Sequence, residues 1–412
     1  MARPGLTIEK GNGGLGRRQP SQRMISGAVM QAVATPKMTL GEIYELRGTA
    51  DANALELNAE YDSSNKVLVH HHIERFFLRN PSGTLHFMPV AQNVAMADIV
   101  DKDQEYLEKL LRTKAGEIRQ AMVALNPDAT YVPTIEDGLD SDVLAAIPVA
   151  QQLADHEFSK DRFAHIFLEG RSLTGTTSAL RDLRDLAADA ADVSVVIAAD
   201  NDISASDPRY AGYAAIGDVL GLVSSAFVGQ NAGELTQGFN LTDVAETAFI
   251  SAGLSSGNPI DSYNDTDLDA LNEKGYIFAT SVSGIAGYFL VDMHTCSDIE
   301  GDYAYVENVR TINEMIRAAR AALLPRVKGR LFVDPDSGKL APNTIKEMEA
   351  STIASQDQLV ADGDLSGGVE CYIDPDQNVL STSRLEVSLS AVPVAIGRQI
   401  NLKIGFNNPS NT

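Results

Sequence analysis

Val193-Ser194-Val195-Val196-Ile197-Ala198-Ala199 is the stretch on which the fold turns. It is apolar almost throughout and does not alternate, as expected of a strand buried on both faces of a sheet. Polar Asp200-Asn201-Asp202 follows at once. Upstream, residues 162–168, 117–125 and 84–90 read as further strands. Residues 174–188, 141–157, 98–114 and 65–80 read as the helices between them. Val69, Ile73, Phe76 and Phe77 share one face of the 65–80 helix, Ser141 is a natural N-cap, and Gly116 stops 98–114. Residues 212–226 supply one more helix. Strands alternating with helices of this length predict βαβ units and a mostly parallel sheet.

Beyond residue 229 the pattern changes. Residues 229–274 are rich in Gly, Asn, Asp and Ser and read as long loops. Two strands, 274–282 and 287–293, flank the turn at Ser283-Gly284. Residues 302–324 form the best-patterned helix, with Tyr305, Val306, Val309, Ile312, Ile316, Ala319 and Leu323 in phase, Asp302 as its cap and Pro325 at its end. A helix over 343–360 and a strand over 369–373 follow. The expected fold class is therefore α/β: a βα-alternating middle domain (25–270), a C-terminal α+β domain (271–390), and extended arms at 1–24 and 391–412.

Both arms carry strand patterns. In Gln399-Ile400-Asn401-Leu402-Lys403-Ile404-Gly405-Phe406, the residues Ile400, Leu402, Ile404 and Phe406 fall on one face. At the other end, Leu6 and Ile8 alternate with Thr7 and Glu9. Gly11, Gly13, Gly14 and Gly16 then form a flexible leash. Strands at chain ends need partners.

The chain has 412 residues and a formal net charge of −23. That acidity argues for a soluble protein and against nucleic-acid or anionic-membrane binding. No apolar stretch approaches ~20 residues, so no membrane insertion is expected. Two cysteines, Cys296 and Cys371, fit a reducing compartment better than a disulfide scaffold.

Motifs for chemistry fail on context. Gly11-Asn12-Gly13-Gly14-Leu15-Gly16 fits G-x-G-x-x-G, but Pro20 stands where the helix should run and no acidic residue follows at the required distance. His70-His71-His72 cannot converge on one metal from a helix and reads as surface or boundary. Glu169 and Asp200 lie at carboxyl ends of strands, where α/β enzymes keep their sites, and mark the alternative of a soluble α/β enzyme. No cofactor, metal or catalytic set is expected. Against one acid, Glu314, the segment 310–330 carries Arg310, Arg317, Arg320, Arg326, Lys328 and Arg330. It reads either as a solvated helix face or as a docking surface for an acidic partner.

Lys274-Gly275-Tyr276-Ile277-Phe278, residues 302–310 (Asp302-Tyr303-Ala304-Tyr305-Val306-Glu307-Asn308-Val309-Arg310) and Ala321-Ala322-Leu323-Leu324-Pro325 resemble tail sheath proteins of contractile phages and contractile injection systems. The ending (375–381, Pro393, 399–406) does too, and 4–16 look like the N-terminal arm of one branch. The resemblance covers 1–16 and about 275–407; the middle region matches only in general character. It implies a non-enzymatic subunit, with 271–390 as the sheath core, that polymerises in six-fold rings wound helically around an inner tail tube. Neighbours would be linked by strands donated from Leu6, Ile8, Ile400, Leu402, Ile404 and Phe406, with the N-terminal glycines as hinges. Arg310, Arg317 and Arg320 become candidate tube contacts. Baseplate and tail terminator proteins become further partners, and the location becomes a phage virion or a released injection particle.

Overall fold

The computed structural model describes residues 22–335 and 337–406. Its centre is a six-stranded mixed sheet. The strands are β1 (Ile25–Gln31), β2 (Tyr44–Leu46), β3 (Thr84–Val90), β4 (Gln120–Ala124), β5 (His165–Glu169) and β6 (Val193–Val196), in the order β2-β3-β1-β4-β5-β6. All pairs are parallel except the edge pair β2–β3. β3 and β4 are buried along their whole length, as a sheet covered on both faces requires. The helices α1 (Val69–Arg79), α2 (Leu107–Thr113), α3 (Ser141–Phe158) and α4 (Ile216–Ser225) cover it. α1 packs on α4, and α2 on α3.

The apolar run over 193–199 is two strands. β6 ends at Val196, and β7 (Ala198–Asp200) turns to pair antiparallel with β8 (Ala252–Leu254). At the break, the Ile197 and Ala198 amides both donate to the Ile277 carbonyl. The expected helix over 174–188 is absent apart from a turn at Thr177–Ala179. Tertiary bonds claim its backbone instead: Thr174 N–H donates to Gly138 O, Arg181 N–H to Asp137 O, and Leu183 N–H to Lys274 O. The helix over 98–114 is two short pieces, Met96–Ile99 and Leu107–Thr113. Asp140, not Ser141, caps α3.

The histidine triplet is buried, contrary to its reading as surface or boundary. His71 packs edge-on against His72 and Tyr213, His72 lies tilted against Tyr213, and His72 is 1% exposed. The Asp62 carboxylate accepts the His70 and His71 amides at 3.0 and 2.8 Å, which starts α1 here. Neither ring nitrogen of His72 has a hydrogen-bond partner among the described residues. Burial, helped by Arg171, pushes its pKa down to about 3. Between that value and ~6.5, the unfolded chain binds a proton that the folded chain refuses. His72 therefore contributes stability above pH 6.5 that is lost as pH falls. His72→Phe should remove this loss. Going from pH 7 to 5, the wild type should lose ~2 kcal/mol more than the variant in denaturant titrations. Parallel pH profiles would refute this.

A hairpin, β9 (Ala279–Val282) and β10 (Ile285–Leu290), leads to helix α5 (Val306–Leu323), which starts without a side-chain cap and four residues after Asp302. The main core does not break at residue 270: Tyr276, Ile277, Phe278, Leu290, Met293, Cys296 and Val306 belong to it. A second, small core gathers Leu340, Ile345, Met348 and Ile373, with the end of α5 packed against it. It lies beneath α6 (Pro342–Ala354) and a separate two-stranded sheet, β11 (Leu365–Tyr372) with β12 (Ser388–Pro393). The helix expected over 343–360 is broken between Ala354 and Asp357.

Candidate functional site

In a parallel sheet the ligand crevice lies where successive connections diverge, here beyond the ends of β1 and β4. In this chain it is sewn shut. Asn126 donates its amide to the Gln31 side chain at 2.8 Å and its Nδ2 to Gln31 O at 2.9 Å, and accepts from the Leu68 amide at 2.7 Å. Glu169, fully buried, accepts from the Leu125 and Ala214 amides and from Arg171. Asp200 accepts from the Asp202 and Phe249 amides and lies 3.8 Å from Arg75. Burial raises both carboxyls above their usual values. These two residues, the basis of the enzyme alternative, act as loop clamps. Among the described residues no group of His, Cys, Asp and Glu could hold a metal, and no helix is long and apolar enough to cross a membrane.

Within the basic segment, Arg310 and Arg317 are turned inward, which corrects their reading as candidate tube contacts. Arg310 is 6% exposed and donates to the Ala226 and Phe227 carbonyls. Arg317 bonds Glu314 and the Phe163 carbonyl and stacks over the Phe163 ring. Arg320 pairs with Asp161 at 2.6 Å. Reversing Arg317 would therefore damage the subunit itself. Arg326 pairs with Glu347, whereas Lys328 and Arg330 are exposed.

What remains open is at the C-terminus. Ile400, Leu402, Ile404 and Phe406 are 90, 78, 83 and 110% exposed, and 399–406 pair with no strand among the described residues. The intramolecular hairpin partner lies upstream: β12 pairs with β11. That two-stranded sheet has both outer edges unpaired among the described residues, an arrangement with marginal stability of its own and a ready template for added strands. One side of each strand, with Val369 and Cys371 in β11 and Leu389 and Ala391 in β12, is half-buried; the other is exposed. Leu6, Ile8, Gly11, Gly13, Gly14 and Gly16 lie outside the described residues.

The root of the C-terminal arm is held firmly. Arg398 reaches Asp292 at 2.6 Å, bonds Glu307, and lies flat on the Tyr305 ring, 3.4 Å from its centroid. Asn231 Nδ2 donates to Asp292 at 2.6 Å. Burial would raise the Asp292 carboxyl, but Arg398 holds it below its usual value; burial does raise Glu307. The arm therefore leaves from the main body, not from the small β11–β12 unit. Sequence reasoning missed this lock, because nothing local links Arg398 to residues 91 and 106 positions earlier.

The family model described as DUF2586, N-terminal domain matches residues 3–294, and DUF2586, C-terminal domain matches 302–411. No curated protein matches the sequence. Among solved structures, a chain of the anti-feeding prophage (AFP) helical sheath in its contracted state superposes with a TM-score of 0.60 at 15% identity, covering 99% of this chain and 100% of that one. A chain of the AFP baseplate, 6-fold symmetrised, gives 0.60 at 14% identity, with the same coverages. The PVC sheath complex of an extracellular contractile injection system, also contracted, gives 0.59 at 14%, covering 100% and 99%. The mixed α/β fold is thus that of contractile-sheath proteins.

Proposed function

This chain belongs to the DUF2586 family, and on that footing we propose that it is the structural subunit of a contractile sheath. The observation that carries the reading is the pairing of a need with a receptor. Four large apolar side chains lie exposed along 399–406, and a two-stranded sheet has both outer edges unpaired among the described residues. Strand addition joins the two in neighbouring subunits through main-chain hydrogen bonds, with alternate side chains filling the half-buried face. A head-to-tail contact of this kind that does not close generates a helical filament. The full-length fold match to sheath chains supports that use, as does the filling of the crevice an enzyme would need.

On this reading the subunits form stacked six-fold rings around an inner tube, end on a baseplate and a terminator, and shorten as rigid bodies while the arms stay linked. The particle is a phage tail or a released injection device. Contact with the tube falls to the exposed segment 324–332, where Leu324, Val327 and Phe332 stand beside Lys328 and Arg330. Purified protein in negative stain should show hollow tubes or rings. Dispersed monomers at every concentration and salt tested would overturn the proposal.

A further inference from the structure

Among the described residues, none after Val306 joins the main core. The chain from 331 to 393 has instead its own core of four buried side chains, Leu340, Ile345, Met348 and Ile373, under α6 and the β11–β12 sheet. That is little burial for a stretch of this length, and two strands alone are marginal in water. Tyr372 and Val392, within the sheet, are 61 and 54% exposed. The ladder is also interrupted. Its register shifts between Leu365 and Gly367 and again between Gly367 and Glu370. There Gly367 and Gly368 take φ of +109° and +60°, as a bulged strand allows.

Both ends of this unit are fastened to the body independently of its own core. Upstream, α5 starts in the main core at Val306. Downstream, Arg398 is held by Asp292 and Glu307. Opening the unit therefore frees neither the start of α5 nor the root of the C-terminal arm. The ties in between are modest. The Gly229 amide donates to the Asp364 carboxylate at 3.1 Å, and Gln356 Nε2 to the Met315 carbonyl at 3.3 Å. Gln356 is fully buried, and its Oε1 has no hydrogen-bond partner among the described residues. An unsatisfied buried acceptor weakens the closed arrangement.

We propose that 331–393 is a separately opening receptor: in the free subunit it unfolds locally while the body stays folded, and a strand added by a second copy completes it. This rests on the strand-donation reading above. Weakly packed units open below the global transition, and whatever binds only the folded form stabilises it. The device guards against premature linkage. A donated strand meets a formed receptor for only a fraction of the time, so the apparent affinity between free subunits falls by that fraction. Once a strand is added, the receptor gains ladder partners and covered apolar faces, and reopening is suppressed.

Amide hydrogen exchange of the full chain, read by mass spectrometry, tests this on dispersed subunits and on tubes. In dispersed subunits the amides of β11 and β12 should exchange at least ~100-fold faster than those of β3 and β4. In tubes the same amides should slow at least ~tenfold. Ile373→Ala should speed exchange in β11 and β12 further, while leaving β3, β4 and the main thermal midpoint as in wild type. Equal protection of β11, β12 and β4 in the dispersed subunit overturns the proposal. So does an unslowed β11–β12 sheet in tubes, or a main midpoint lowered by Ile373→Ala. If no tubes form, the sheath reading fails in negative stain, and exchange in the dispersed subunit still decides whether the unit opens by itself.

Discussion

Removing residues 399–412 leaves a subunit that folds and melts like the full chain but forms no tubes. The fold survives because 399–406 are exposed throughout and belong to no ladder among the described residues, while the anchoring Arg398 is retained. Assembly fails because each neighbour loses a strand that carries Ile400, Leu402, Ile404 and Phe406. Burying each such side chain is worth ~1.5–3 kcal/mol. Even ~4 kcal/mol net per arm, after the entropy of ordering it, is a factor of ~10³ in association. Deleting residues 1–16 should have the same outcome if that arm is the second donated strand. Circular dichroism and thermal melts read the first half of each expectation, and negative-stain images the second. Long tubes from the truncated proteins would sink strand donation.

Gly217→Leu should abolish the native fold, and Gly217→Ala should cost ~1–3 kcal/mol. Helices α1 and α4 cross with their backbones almost touching. A Cβ on Gly217 would stand 2.4 Å from the His72 carbonyl oxygen, and one on Gly221 would stand 2.8 Å from that of Phe76. Alanine gains ~1 kcal/mol in helix propensity over glycine, but the obstruction is backbone and cannot rotate away, so the clash wins. Residues Ile216 to Ser224 are all buried, so α4 has no solvent side toward which to shift. Gly238→Ala, with nothing within 4 Å of its added methyl, is the control and should stay within ~0.5 kcal/mol. Denaturant midpoints separate the three variants. A Gly217→Ala protein as stable as the control would show that the helices can part freely.

The G-x-x-x-G spacing of Gly217 and Gly221 was visible in the chain, but its partner was not. The same division runs through the molecule. Local periodicity was enough for the parallel sheet and for α3 and α5, because neighbours a few residues apart set those patterns. It misread 174–188 as a helix, since Gly138 and Lys274 outbid the local hydrogen bonds there. It left His71 and His72 at the surface, because their burial depends on Tyr213.

By itself, then, the sequence determined an acidic α/β chain whose final strand has an apolar face and no nearby partner. Only the tertiary structure decided what the charges and edges do. It turned Arg310 and Arg317 inward onto carbonyls 83 and 154 residues away. It filled the crevice at Glu169, and it fastened Arg398 to the body while leaving residues 399–406 beyond it exposed. The physical reason is that burial and counter-charge are properties of three-dimensional neighbours. A periodic pattern states which face must be covered, and the packed chain shows which faces it leaves uncovered.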